Sequence, residues 1–115
     1  VSLRRSFSLL LLASAITVGC ASDPPDVPAG ADGTVDPELA LGREVFAARC
    51  VSCHGEAGGG GQGPNITGDR MAERYPDPAD QIAVIAAGRN GMPAFEDVLS
   101  PEQIAAVVRY AREVL

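Results

Sequence analysis

Two thiols and an imidazole fall within five residues, Cys50-Val51-Ser52-Cys53-His54. At this spacing the two sulfurs can add to the two vinyl groups of one haem, making thioethers. The adjacent His54 then lies under the ring as the proximal iron ligand. The chemistry implied is one-electron transfer through a single covalently bound haem c. Competing uses of the motif fare poorly. A structural zinc site takes four ligands, whereas the chain has three cysteines and one histidine, and Cys20 stands far from the pair. A thioredoxin-like redox pair would sit among alternating strands and helices, and no strand pattern is found.

A low-spin electron carrier also needs a sixth iron ligand. His54 is the single histidine, which leaves a thioether as the natural donor, from Met71 or Met92. Met92 lies in Gly88-Arg89-Asn90-Gly91-Met92-Pro93, a loop between helices, where an unbranched side chain can reach across and Pro93 stiffens the backbone. Met71 falls in a short helical segment, where a core role is the ordinary expectation. Met92 is therefore the candidate distal ligand, with an open sixth position as the alternative.

The elements that must position these groups carry clear start signals. Asp36-Pro37-Glu38 opens a helix whose apolar face is Leu39, Gly42, Val45 and Phe46, leading into Cys50. Asp77-Pro78 opens a second, with Ile82, Val84 and Ile85, ending near Gly88. Ser100-Pro101-Glu102-Gln103 is a capping box for a last helix with the stripe Ile104, Val107, Val108 and Ala111. A short helix is expected from Asp69 to Tyr75, ahead of Pro76. The glycine-rich stretch from Gly55 to Gly63 reads as loop; no Gly-Lys-Ser/Thr follows it, which excludes a phosphate loop.

Residues 1–19 have the layout of an export signal: Arg4 and Arg5, the apolar run Phe7–Val18, then small residues. Thr17-Val18-Gly19-Cys20 resembles a bacterial lipobox, making Cys20 the expected lipidation site; cleavage after Ala13-Ser14-Ala15 is the alternative and gives a soluble periplasmic product. Residues 20–36, rich in proline, glycine and acids, read as a flexible lipid-anchored tether. The folded domain is expected over residues 37–115. With Arg4 and Arg5 in the leader, seven basic residues face 15 acidic ones in the remainder, a formal −8. Such a chain should not bind nucleic acid and should be steered toward a basic redox partner.

The combination Cys50-Val51-Ser52-Cys53-His54, Gly63-Pro64-Asn65 and Gly91-Met92-Pro93 resembles the bacterial single-haem class I cytochromes c, notably oxidase-associated subunits and their free relatives. That resemblance implies an all-α fold of three to four helices and loops wrapped around one covalent haem. It implies that Gly42 and Phe46 meet Val107 and Tyr110 where the first and last helices cross. It also implies that the Pro64 carbonyl holds the other ring nitrogen of His54; a plain turn proline is the alternative. The Gly58–Gly61 run departs from the family pattern.

The function expected is a non-enzymatic electron carrier with His/Met ligation. It would serve a terminal oxidase or dehydrogenase at the outer face of the cytoplasmic membrane, as a monomer or complex subunit. A haem enzyme or gas sensor with a labile sixth position is the rival reading.

Overall fold

The structure, a computed structural model, describes residues 23–115. The leader and Cys20 lie outside the described residues. Five helical segments follow one another: α1 (Pro37–Arg49), α2 (Val51–His54), α3 (Gly68–Arg74), α4 (Pro78–Ala87) and α5 (Pro101–Glu113). Among the described residues there is no β-strand, only single-residue bridges pairing Ala29 with Val35 and Arg89 with Met92. The all-α expectation is met with one helix more than the three to four anticipated. The additional one is the four-residue turn that carries Cys53 and His54.

Each long helix begins where its local chemistry dictates. The Asp36 carboxylate accepts from the Glu38 and Leu39 amides at 2.8 and 3.2 Å, and Asp77 does the same for Ala79 at 2.9 Å. At α5 both arms of the capping box are made: the Gln103 amide donates to Ser100 Oγ at 3.2 Å and the Ser100 amide to Gln103 Oε1 at 2.9 Å. Proline occupies the first turn of α1, α4 and α5, where no amide proton is needed.

Helices α1 and α5 form the core. Gly42 lies directly against the backbone of Ala106, and a Cβ placed there would meet the Ala106 carbonyl carbon and Tyr110 Cβ, both at 2.7 Å. This near-contact of backbones lets Phe46 and Tyr110, both 0% exposed, pack with ring centroids 5.6 Å apart. Val45, Leu99, Ile104 and Val107 complete the cluster. Arg109 staples the crossing at its edge, donating to Asp36, Glu38 and Glu113 at 3.1, 2.6 and 2.8 Å. Arg112 does a second job from the same helix: its Nη1 donates to the Tyr75 carbonyl at 2.9 Å and to buried Gln81 at 3.3 Å, tying α3 and α4 to α5.

Within the stretch expected to be a flexible tether, residues 20–36, the segment Pro24–Asp26 makes contacts with the domain. Arg43 donates to the Pro24 and Pro25 carbonyls at 2.9 and 3.2 Å and pairs with Asp26 at 3.0 Å. The Tyr110 hydroxyl donates to the Pro25 carbonyl at 2.6 Å, and Val27 packs at the margin of the core. The anchors are backbone carbonyls rather than apolar side chains, so a count of hydrophobic residues missed them. Among the described residues, no helix is long and apolar enough to cross a membrane.

Two tests follow from the packing. Gly42→Ala should destabilise the holoprotein by about 1–3 kcal/mol or more, since a methyl forced between two backbones overpacks a closed site; denaturant unfolding would read this as a lowered midpoint. The second concerns acid. The Arg109 guanidinium, followed by the Leu39 and Glu38 amides, holds the Asp36 carboxyl below its ordinary value of 3.8. A group depressed in this way stabilises the fold fully above its ordinary value and ceases to do so as pH falls through the lowered one. Asp36→Asn, which keeps a capping oxygen, should therefore show a smaller loss of stability than wild type between roughly pH 5 and pH 2.

Candidate haem site

Cys50 caps the end of α1 and begins α2, so the motif is an immediate continuation of the core helix. Its amide donates to Phe46 O at 2.9 Å, and its own carbonyl accepts from His54 N at 2.9 Å. One turn of helix therefore gathers Cys50, Cys53 and His54. Both cysteines are half-buried. Before any thioether forms, burial first and then the neighbouring Cys53 push the Cys50 thiol up to about 11.

The glycine-rich loop folds back onto this turn. Gly60 N donates to the His54 carbonyl and Gly63 N to the Cys53 carbonyl, both at 2.8 Å. These bonds satisfy carbonyls that the end of a short helix leaves open. The same fold-back brings Pro64 to the imidazole: Nδ1 of His54 lies 2.9 Å from the Pro64 carbonyl oxygen. Because a carbonyl only accepts, Nδ1 carries the proton and the Nε2 lone pair is left available. His54 is buried at 7% exposure, and Nε2 makes no hydrogen bond among the described residues. Gly63 lies directly against the ring; a Cβ there would meet Cε1 at 2.7 Å and Nδ1 at 2.8 Å. The sequence placed this glycine in the Gly63-Pro64-Asn65 motif but gave it no role of its own beside the ring.

Met92 is delivered from a separate loop. A tight turn at Arg89–Met92 is closed by two backbone hydrogen bonds of 3.1 and 3.0 Å, with Asn90 at φ 55°, a left-handed conformation that asparagine tolerates. Gly88, at φ +75°, lets the Met92 and Pro93 backbones pass within the space a side chain would fill. Beyond the turn, Phe95 N donates to the Ile85 and Ala86 carbonyls at 3.1 Å, so the loop is bound back onto the end of α4. Met92 is half-buried. No hydrogen bond joins its loop to the Cys50–Pro64 segment among the described residues. Met71, by contrast, is buried at 4% exposure on α3.

The donor set fits a c-type haem: two thiols one helical turn apart, an imidazole fixed with its lone pair free, and a glycine cradle holding the ring. A turn carrying two thiols and an imidazole, built onto crossed helices with no strand among the described residues, has the fold of a small class I cytochrome c. The chain belongs to the cytochrome c family: residues 37–110 match the family described as Cytochrome C oxidase, cbb3-type, subunit III. Members of that family carry one covalent haem c, and this is the cofactor of the chain.

Two relatives bracket it. It is 38% identical over 81 residues to the cbb3-type cytochrome c oxidase subunit FixP of Bradyrhizobium diazoefficiens, covering 67% of this chain and 28% of that one. It is 33% identical over 112 residues to cytochrome c6 of a Nostoc species, covering 94% and 91%. The chain thus spans little more than a quarter of the FixP subunit. Among solved structures, cytochrome c6 of the diatom Phaeodactylum tricornutum superposes with a TM-score of 0.55 at 30% identity, covering 64% of this chain and 90% of that one. Cytochrome cL of Methylophaga aminisulfidivorans gives 0.57 at 25%, covering 69% and 54%.

The cradle at Gly63 can be tested directly. Gly63→Ala should drive the imidazole off the Pro64 carbonyl and give an altered Soret spectrum, while Gly59→Ala, with nothing within 4 Å of its Cβ, should leave the spectrum of the holoprotein unchanged.

Proposed function

We propose that this cytochrome c is a one-electron shuttle with His54 and Met92 as its axial iron ligands. The observation that carries the reading is the 2.9 Å contact between His54 Nδ1 and the Pro64 carbonyl, which leaves Nε2 as the free donor beside the two thiols. When bound, the haem supplies a one-electron iron couple. Cys50 and Cys53 would hold it covalently, and the Pro64 carbonyl would make the imidazole a stronger donor by accepting its Nδ1 proton. The Met92 thioether is a soft donor that favours the ferrous state and raises the potential. Keeping the same two ligands in both states would limit reorganisation during transfer.

The partner proposed is a redox protein, either a terminal oxidase or a dehydrogenase. The similarity to FixP supports an oxidase, and the end-to-end match to cytochrome c6 supports a free carrier. We further propose export and lipidation at Cys20, which would place the domain at the outer face of the cytoplasmic membrane. Mass analysis of the mature N-terminus should find a lipidated Cys20; a product beginning at Ile16 would rule lipidation out.

Ligation has its own test. The oxidised protein should show the weak far-red sulfur-to-iron band, and Met92→Ala should abolish it and lower the midpoint potential, as followed by redox titration. Native ferrous protein should be inert to carbon monoxide and the variant should bind it rapidly. Rapid binding by the native protein would instead indicate a labile sixth position.

A further inference from the structure

The chain has two asparagines, Asn65 and Asn90, and the fold treats them differently. Asn65 is engaged on both sides. Its side-chain oxygen accepts from the Thr67 amide at 2.9 Å and the Thr67 hydroxyl at 2.8 Å. The amide that follows it, Ile66 N, donates to the Gly58 carbonyl at 2.8 Å. The related pair Asp32-Gly33 is held in the same way, with Asp32 Oδ1 taken by Thr34 and Gly33 N bonded to the Gly30 carbonyl at 2.9 Å.

Asn90-Gly91 has neither restraint. The Asn90 carboxamide and the Gly91 amide make no hydrogen bond among the described residues, and both residues are exposed. A Cβ placed on Gly91 would meet nothing within 4 Å. Asn90 is also the one non-glycine residue with positive φ among the described residues, at 55°. A glycine nitrogen carries no neighbouring side chain to hinder it, so it can close on the preceding carboxamide carbon. The Gly91 nitrogen then bonds to Asn90 Cγ, the Cγ–Nδ2 bond breaks, and ammonia leaves with the amide proton. The product is a five-membered succinimide. Water opens that ring at either carbonyl. One opening gives aspartate; the other gives isoaspartate, whose main chain runs through Cβ and Cγ and is longer by one methylene.

That extra atom falls inside the turn that presents Met92. The turn is closed by Arg89 N on the Met92 carbonyl at 3.1 Å and by Met92 N on the Arg89 carbonyl at 3.0 Å. A longer link between the two residues cannot keep both bonds. Nor is there slack behind it: a Cβ on Gly88 would meet the Met92 oxygen and the Pro93 carbonyl carbon, each at 2.8 Å.

We propose that Asn90-Gly91 is a self-modification site, and that its conversion to isoaspartate unseats Met92 from the iron. The second half rests on the His54/Met92 reading above. The carrier then loses its sixth ligand with age, through solvent water alone.

The test is to age holoprotein in warm neutral buffer, as wild type, Asn90→Gly and Gly91→Ala, each compared with its own fresh spectrum. Asn90→Gly suits the left-handed backbone and removes the reacting carboxamide, whereas Gly91→Ala adds a methyl in open space beside the attacking nitrogen. Peptide mass analysis of wild type should find a gain of one mass unit at Asn90, with isoaspartate identified by its resistance to a protease that cuts before aspartate. The far-red sulfur-to-iron band should fall in proportion to the isoaspartate fraction, and that same fraction of ferrous protein should bind carbon monoxide rapidly. Gly91→Ala should lose its band more slowly than wild type, and Asn90→Gly should keep it. An unmodified Asn90, or isoaspartate accumulating under an undiminished band, would overturn the proposal. Equal band loss in Asn90→Gly, with Met92 recovered as its sulfoxide, would also overturn it and assign the ageing to oxidation of the thioether. A fresh wild type without the band would instead sink the ligand reading and the unseating with it, while peptide analysis still decides the modification.

Discussion

The near-contact of Gly42 with the backbone of Ala106 governs the placement of everything else in this domain. With no side chain between them, α1 and α5 approach until Phe46 and Tyr110 are sealed from solvent. The dispersion gained from atoms packed at such short range is small singly and large in sum. Because α2 follows α1 across a single residue, the attitude of α1 at this crossing also decides where both cysteines and the histidine face. From the other helix, Arg112 and the close approach of Gly68 to the Arg112 carbonyl bring α3 into register. A thin core thus gains precision from one crossing rather than from volume.

Around the motif the organising force is different. Backbone carbonyls at the end of a four-residue helix would be open, and the glycine-rich loop closes two of them with its own amides. The closure carries Gly63 and Pro64 to opposite duties on one imidazole, the first as a steric wall and the second as a proton acceptor. The family departure in Gly58–Gly61 therefore falls in a segment with a definite structural role. Its positive-φ glycines at 55, 58 and 60 are the joints that let the loop turn back.

Much of this was legible in the residues. Helix starts at Asp36-Pro37, Asp77-Pro78 and Ser100-Pro101 were readable because caps are local chemistry, settled within a few residues of the chain. The candidate haem motif was readable because its two thiols and its imidazole fall within five residues. What escaped depended on distant partners. The helical form of Val51–His54 follows from the ending of α1 and from the returning loop, neither visible in a four-residue window. The packing of residues 24–27 depends on Arg43 and Tyr110 reaching proline carbonyls from afar, whereas proline-rich acidic composition argues locally for disorder.

The docked segment changes what an anchor at Cys20 would mean. A free coil from residue 20 to residue 36 would let the domain roam some 20–25 Å from its attachment. With Pro24 and Pro25 held by Arg43 and Tyr110, an anchor at Cys20 would stand at most about 14 Å of extended chain from the docked segment. A carrier so held would search a thin sheet of space beside the lipid surface instead of a volume. Partners embedded in that same surface would meet it at a raised local concentration and in a narrow range of orientations.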